Sequence, residues 1–205
     1  MMIRELHPMA ESKQERMERV RQEVKSCRRC GLCEGARNPV VGEGNLDSNV
    51  VFIGEAPGRR EDETGRPFVG AAGKLLDQLL KAIGLRREDV YIGNVVKCRP
   101  PENRRPKPSE MEACTPHLVE QLDIIRPRVI VAMGNSAIAY FWSKFGLKTA
   151  SMGELHGKDF EVNMPWGRVV LFACYHPAAA LYNVELERVL EKDFQALADI
   201  LRRVG

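Results

Sequence analysis

Regular alternation is what most constrains this chain: from residue 49 onward, apolar runs of strand length take turns with amphipathic helical stretches. "NVVFIG" (49–54), "DVYIGNVVK" (89–97) and "PRVIVAMG" (127–134) have the length and β-branched content of buried strands. "AAGKLLDQLLKAIGL" (71–85) sets Leu75, Leu76, Leu79, Leu80 and Ile83 on one helical face and stops at Gly84. "KPSEMEACTPHLVEQLDII" (107–125) reads as a helix capped by Ser109, with Glu112 three residues on completing a capping box. "NSAIAYFW" (135–142) starts another helix, and "VELERVLEKDFQALADILRRV" (184–204) reads as a closing amphipathic helix. "DFEVNMPWGRVVLFACYHP" (159–177) reads as a hairpin whose second arm is a core strand. Such alternation predicts an α/β fold: a central, mostly parallel four-stranded sheet with helices on both faces, in a single domain over residues 1–205.

In sheets of this kind, ligands sit outside the carboxyl ends of the strands. The first strand is followed by Gly54-Glu55-Ala56-Pro57-Gly58, the second ends at Asn94 with Cys98 beyond it, the third leads to Gly134-Asn135, and the fourth to Tyr175-His176-Pro177. Periodicity alone therefore brings the polar candidates to one rim. The first connection, residues 54 to 70, is longer than most strand-to-helix links and carries Gly-rich turns at both ends with Phe68 beside the second.

The chain has 205 residues and a formal net charge of +3, with 44% hydrophobic and 29% charged residues. That is the composition of a soluble globular protein. Abundant Arg and Glu fit a thermophile. The weak net charge permits a polyanionic partner, so any nucleic-acid reading rests on local clusters: Arg59-Arg60, and Arg99 with Arg104, Arg105 and Lys107. The first 20 residues are charged throughout and lack an apolar signal core, and no run reaches membrane-span length. A cytoplasmic protein is expected. Residues 1–25 hold an N-terminal helix, read over 11–26 from Met17, Val20 and Val24, and 26–48 form a Cys- and Gly-rich loop region.

Six cysteines in a reducing compartment call for something other than disulfides. Cys27-x2-Cys30 is a two-ligand bite, and Cys98 and Cys114 form a second pair. Two such pairs point to a metal or cluster site, and spacing leaves zinc and iron–sulfur both open. Cys174 sits in an apolar strand and reads as a buried small hydrophobe. Cys33 is a competing ligand.

Together, "SCRRC", "VVGEGN", "FIGEAPGRREDETGRPFVGAAGKLLD", "YIGNVVKCRPPENRRPKPSEMEAC" and "CYHPAA" resemble the family 4 uracil-DNA glycosylases, the thermostable iron–sulfur branch of their superfamily. The segments run in family order over about residues 26 to 180. The resemblance implies a uracil-DNA glycosylase-like fold, a hydrolase that flips uracil out of DNA, and a 4Fe–4S cluster on Cys27, Cys30, Cys98 and Cys114. It places Glu55, Ala56 and Pro57 on the uracil pocket, Phe68 as the stacking aromatic, Asn94 as the reader of the base edge, and His176 in the last motif. In this family the cluster is thought to be structural. Better-known branches carry a water-activating aspartate where this chain has Ala56, so Glu55 is expected to orient the water, with Glu61 and Asp62 as alternatives. Glu61 is alternatively a residue that crowds the site of the thymine methyl.

These residue types suit the chemistry. A base must leave the stack before its glycosidic bond is reached. An aromatic such as Phe68 holds its apolar face. A side-chain amide such as Asn94 donates to the position-4 oxygen of uracil and accepts from N3–H, and rejects cytosine because donors then face donors. A neutral His176 can hydrogen-bond the charge that develops on the departing uracil. Gly58, Arg104 and Ala178 are the expected DNA contacts and Leu181 the wedge entering the vacated stack. His7, His117 and His156 carry the structural reading. The partner is DNA containing uracil, single- or double-stranded, met by a monomer, with a sliding clamp as an open further partner.

Two other readings compete. An iron–sulfur electron carrier or redox sensor explains the cysteines and leaves Phe68, Asn94 and His176 without a role. A nucleotide-binding reading of "GAAGKLL" fails because Leu75 stands where a P-loop needs Ser or Thr.

Overall fold

The structure is a computed structural model that describes residues 11–148 and 150–205. His7 and the first ten residues of the expected N-terminal region lie outside the described residues.

Four apolar runs form the parallel centre of one sheet: β2 (Val50–Gly54), β3 (Tyr91–Asn94), β4 (Val129–Met133) and β6 (Gly167–Cys174). The strand order is β1-β3-β2-β4-β6-β5, with β1 (Glu43–Gly44) and β5 (Asp159–Met164) as antiparallel edges. The sheet is thus six-stranded, and the expected four strands are its parallel interior. The hairpin expected around "NMPWG" is β5 with β6.

Side chains alternate across each strand, and the core divides accordingly. Val51, Ile53, Ile130 and Ala132 pack on one face with Met17, Val20, Leu118, Phe141 and Trp142. Those residues come from α1 (Lys13–Ser26), α5 (Pro108–Ile125) and α6 (Asn135–Phe145). Val50, Phe52, Val129 and Val131 pack on the other face with Leu75, Leu76, Leu79, Phe194 and Leu197. These belong to α4 (Ala71–Ala82) and α9 (Val184–Val204). Between the larger elements lie four short helices: α2 (Leu32–Gly35), α3 (Arg59–Thr64), α7 (Met152–Leu155) and α8 (Pro177–Ala180).

Three boundaries differ from the sequence reading: β3 covers only Tyr91–Asn94 of the expected 89–97, α4 ends at Ala82, short of the expected 85, and the start of α5 is shifted. α5 begins at Pro108, and Lys107, not Ser109, is its N-cap. Proline is at home in the first helical turn, and Glu110 reaches back to accept from the Lys107 N–H at 2.7 Å. The Arg104 guanidinium beside Glu110 pulls that carboxyl down to about 2.

Candidate active site

The carboxyl ends of β2, β3, β4 and β6 open into a cavity of about 690 Å3. Glu55, Ala56, Pro57, Gly58, Phe68 and Asn94 line it, as do Arg104, His176 and Ala178. All the expected pocket and DNA-contact residues therefore converge there, with Leu181 the exception.

Asn94 ends β3 with its side chain 1% exposed, and its Oδ1 has no hydrogen-bond partner among the described residues. A buried amide oxygen left unpaired costs free energy unless a ligand supplies the donor. Gly54, opposite it on β2, explains how Asn94 and Phe68 fit together. A Cβ at Gly54 would lie 2.5 Å from Asn94 Oδ1 and 2.7 Å from Phe68 Cζ. The Phe68 ring packs against the His176 ring, with centroids 5.4 Å apart and planes inclined by 27°.

His176 is the N-cap of α8, where the backbone N–H of Ala178 donates to its Nδ1 at 3.1 Å. An acceptor Nδ1 leaves the proton of the neutral ring on Nε2. Burial pushes the imidazole down to about 4. At neutral pH it is thus an uncharged donor.

Glu55 follows β2, and its carboxylate accepts a hydrogen bond from the Ser136 hydroxyl in the first turn of α6. Its backbone is tied to the segment after β3, since Val95 N donates to Gly54 O at 2.9 Å and Val96 N to Glu55 O at 3.0 Å.

The two alternative carboxylates are committed elsewhere. Asp62 is buried and accepts from the backbone N–H of Arg37 at 2.9 Å, away from the cavity lining. Glu61 lines the cavity, but its Oε1 accepts from Val69 N at 2.8 Å and Gly70 N at 2.9 Å.

A sequence model of the uracil DNA glycosylase superfamily matches residues 41–202. The chain belongs to that superfamily. Among its relatives, the Type-4 uracil-DNA glycosylase of Archaeoglobus fulgidus is 49% identical, over 91% of this chain and 94% of the relative. The Type-4 enzymes of Saccharolobus solfataricus and Sulfurisphaera tokodaii are 47% and 46% identical, over 87% and 90% of this chain and 83% and 84% of theirs.

Five of the six cysteines of this superfamily member gather away from the cavity. Cys27 caps the end of α1, Cys98 follows β3, and Cys114 lies in α5. With Cys30 and Cys33 they line one small pocket, walled by Val24, Val96 and Ala113. Burial, and then the neighbouring thiols, push the Cys98 thiol up to about 12. Free thiolates are therefore unfavourable there, which is the situation a bound cation relieves. No three of the described His, Cys, Asp or Glu side chains converge tightly enough to hold a single metal ion. Five thiols around one pocket are the ligand type that both zinc and iron–sulfur clusters take. The donor set is thus compatible with an iron–sulfur cluster.

Lys97 links the two regions. Its N–H donates to Cys114 Sγ at 3.2 Å, and its buried Nζ donates to Asn94 O at 2.8 Å and to Gln121 Oε1 at 2.6 Å. Cys174 is fully buried in the sheet, as expected. His156 pairs with the buried Asp193 at 3.0 Å and packs on Tyr175, while the buried His117 faces Glu23, lines the cysteine pocket and leaves its Nε2 without a partner among the described residues.

Leu181, the expected wedge, is placed at the edge of the core. Leu181 is half-buried, packs against the apolar core beside α9, and does not line the cavity. Its neighbour Tyr182 is 98% exposed. Arg104 lines the cavity but is engaged by Glu110 at 2.6 Å, whereas the exposed Arg105 beside it makes no ion pair among the described residues. Sequence reasoning also missed Ser136. Its only signal was its place just after the Gly134-Asn135 turn on the rim.

Proposed function

We propose that this protein removes uracil from DNA by hydrolysing its N-glycosidic bond, releasing free uracil and leaving an abasic site. The observation that carries this reading is the buried, unpaired Oδ1 of Asn94 set against Phe68 in the cavity. Uracil N3–H is the donor that oxygen lacks, and the position-4 oxygen of uracil accepts from Nδ2. The amino group of cytosine would meet Nδ2 donor to donor.

The flipped base stacks on Phe68. As the C1′–N1 bond breaks, its electrons pass to the uracil ring, and Nε2–H of His176 donates to the position-2 oxygen where charge builds. Glu55, held by Ser136, orients the water whose oxygen bonds to C1′ and stabilises the positive sugar. The water's proton passes to Glu55, and the uracil anion is protonated on release.

Cys27, Cys30, Cys98 and Cys114 would hold a 4Fe–4S cluster, with Cys33 as the spare thiol. Bound there, the cluster supplies a cross-link between α1, the segment after β3 and α5. Gly58, Arg104, Arg105 and Ala178 meet the DNA backbone, and Tyr182 replaces Leu181 as the side chain entering the vacated stack. Full exposure beside the cavity rim supports that role. The protein acts as a cytoplasmic monomer. The electron-carrier reading leaves the Asn94, Phe68 and His176 rim unexplained.

The test is chromatography of the bases released from DNA containing uracil, cytosine and thymine. Free uracil alone supports the proposal; release of none of them sinks it.

A further inference from the structure

Phe68 sits at φ 50, in the left-handed region that bulky side chains avoid. Such a conformation persists only where the surroundings enforce it. Two groups do so here. On one side, Glu61 Oε1 accepts from Val69 N at 2.8 Å and Gly70 N at 2.9 Å, tying down the two amides that follow Phe68. On the other, Arg87 Nη1 donates to Phe68 O at 3.0 Å, and the same guanidinium donates to Pro67 O. Arg87 is itself anchored by Glu43 at 3.0 Å and Asp77 at 3.1 Å. Gly73, in the first turn of α4, has no room for a Cβ against the Phe68 carbonyl, so the helix closes directly on this turn.

The turn's conformation has a consequence at the cavity. It delivers the Phe68 ring, 5% exposed, against the Asn94 amide and His176. From the linked geometry we infer that Glu61 is a positioning residue: it acts on the base through Phe68, by holding the turn that aims the stacking platform. This rests on the base-excision reading above. Glu61 lines the cavity, so an acid–base or base-screening role is the alternative. Against the acid–base role, Oε1 accepts from two backbone amides, and Oε2 lies close to Gly58, where a Cβ would come within 2.9 Å. Arg87 is the matching clamp on the carbonyl side.

The two roles separate in a double-mutant cycle. Glu61→Ala is expected to lower kcat/KM on the order of tenfold to a hundredfold, mainly through KM, because stacking holds substrate and transition state alike. Glu61→Gln retains most activity, since its amide oxygen can accept from the same two N–H groups. In a Phe68→Ala background, Glu61→Ala should cost less than about twofold more, because the ring it aims is already gone. A full repeat of the Glu61→Ala loss in that background would overturn the inference and place Glu61 on the base or the water.

Amide exchange gives a readout independent of catalysis. Glu61→Ala should speed exchange at Val69 and Gly70 by about tenfold or more, while Glu61→Gln keeps their protection. Unchanged exchange in Glu61→Ala defeats the clamp whatever the enzyme does. A wild-type protein that excises no uracil yet shows this exchange pattern would fail the functional reading and keep the clamp.

Discussion

The backbone N–H of Ala178 donates to Nδ1 of His176 across 3.1 Å. One hydrogen bond thus fixes the imidazole tautomer and leaves Nε2–H for the substrate. Burial pushes the ring down to about 4 from its ordinary 6.5. Above that lower value His176 is neutral, so excision should show no His-dependent change between about pH 5 and 8 and an acid limb near pH 4. A pH–rate profile falling on the alkaline side of 6 to 7 would mean that the imidazolium is the working form. Stability follows the same sign. The unfolded chain takes up a proton below 6.5 while the folded ring resists it, so His176 lowers stability as pH drops from 6.5 towards 4 and has no effect above.

Asn94→Asp replaces the donor Nδ2 with an acceptor. Uracil excision should fall about a hundredfold, with the position-4 oxygen left facing a carboxylate in a buried site. Cytosine release should be measured alongside, because its amino group gains a partner. Unchanged uracil kinetics would remove Asn94 as the reader.

Gly54→Ala places a methyl where Asn94 Oδ1 and Phe68 Cζ approach to 2.5 and 2.7 Å. Overpacking of this kind costs about 1–3 kcal/mol of stability, and displacement of the reader and platform together should lower kcat/KM about tenfold or more. Thermal unfolding and steady-state kinetics on the same preparation separate the two effects. Wild-type kinetics would show that the pocket does not depend on this close approach.

The purified protein should be brown, with broad absorbance at about 400 nm. Cys114→Ser should lose that absorbance and unfold more easily, whereas Cys174→Ser, buried in β6, should keep it. Iron analysis with thermal unfolding checks both. A colourless, iron-free protein of full stability contradicts the cluster.

Tyr182→Ala should weaken excision from duplex DNA several-fold more than from single strands, because only the duplex leaves a gap to fill. Equal losses on both substrates would return the wedge to another residue.

The parallel interior was legible because fully buried strands are continuous apolar runs, as in Val50–Gly54 and Val129–Met133. β1 was not, since Glu43 and Gly44 form a strand only by pairing with Ile92 and Tyr91. The α5 start was misplaced because Ser109 and Glu112 make as good a capping pattern as Lys107 and Glu110, and only Pro108 in the first turn separates them. In the site, Asn94, Phe68 and His176 were legible from strand ends and motif. The partners that aim them were not. Ser136 reaches Glu55 from 81 residues away, and Arg87 reaches Phe68 from 19 residues on, with no local signal at either end. Leu181 and Tyr182 are neighbours of similar apolar bulk, and only the path of the chain after α8 turns one onto the core and the other outward.

The central claim is tested most directly with an end-labelled oligonucleotide carrying one uracil, incubated with the purified protein and then treated with alkali. Scission at uracil and not at thymine, abolished or strongly reduced in His176→Ala, is the predicted result. An intact strand in both single- and double-stranded form, from protein whose cysteine site is filled, would contradict it.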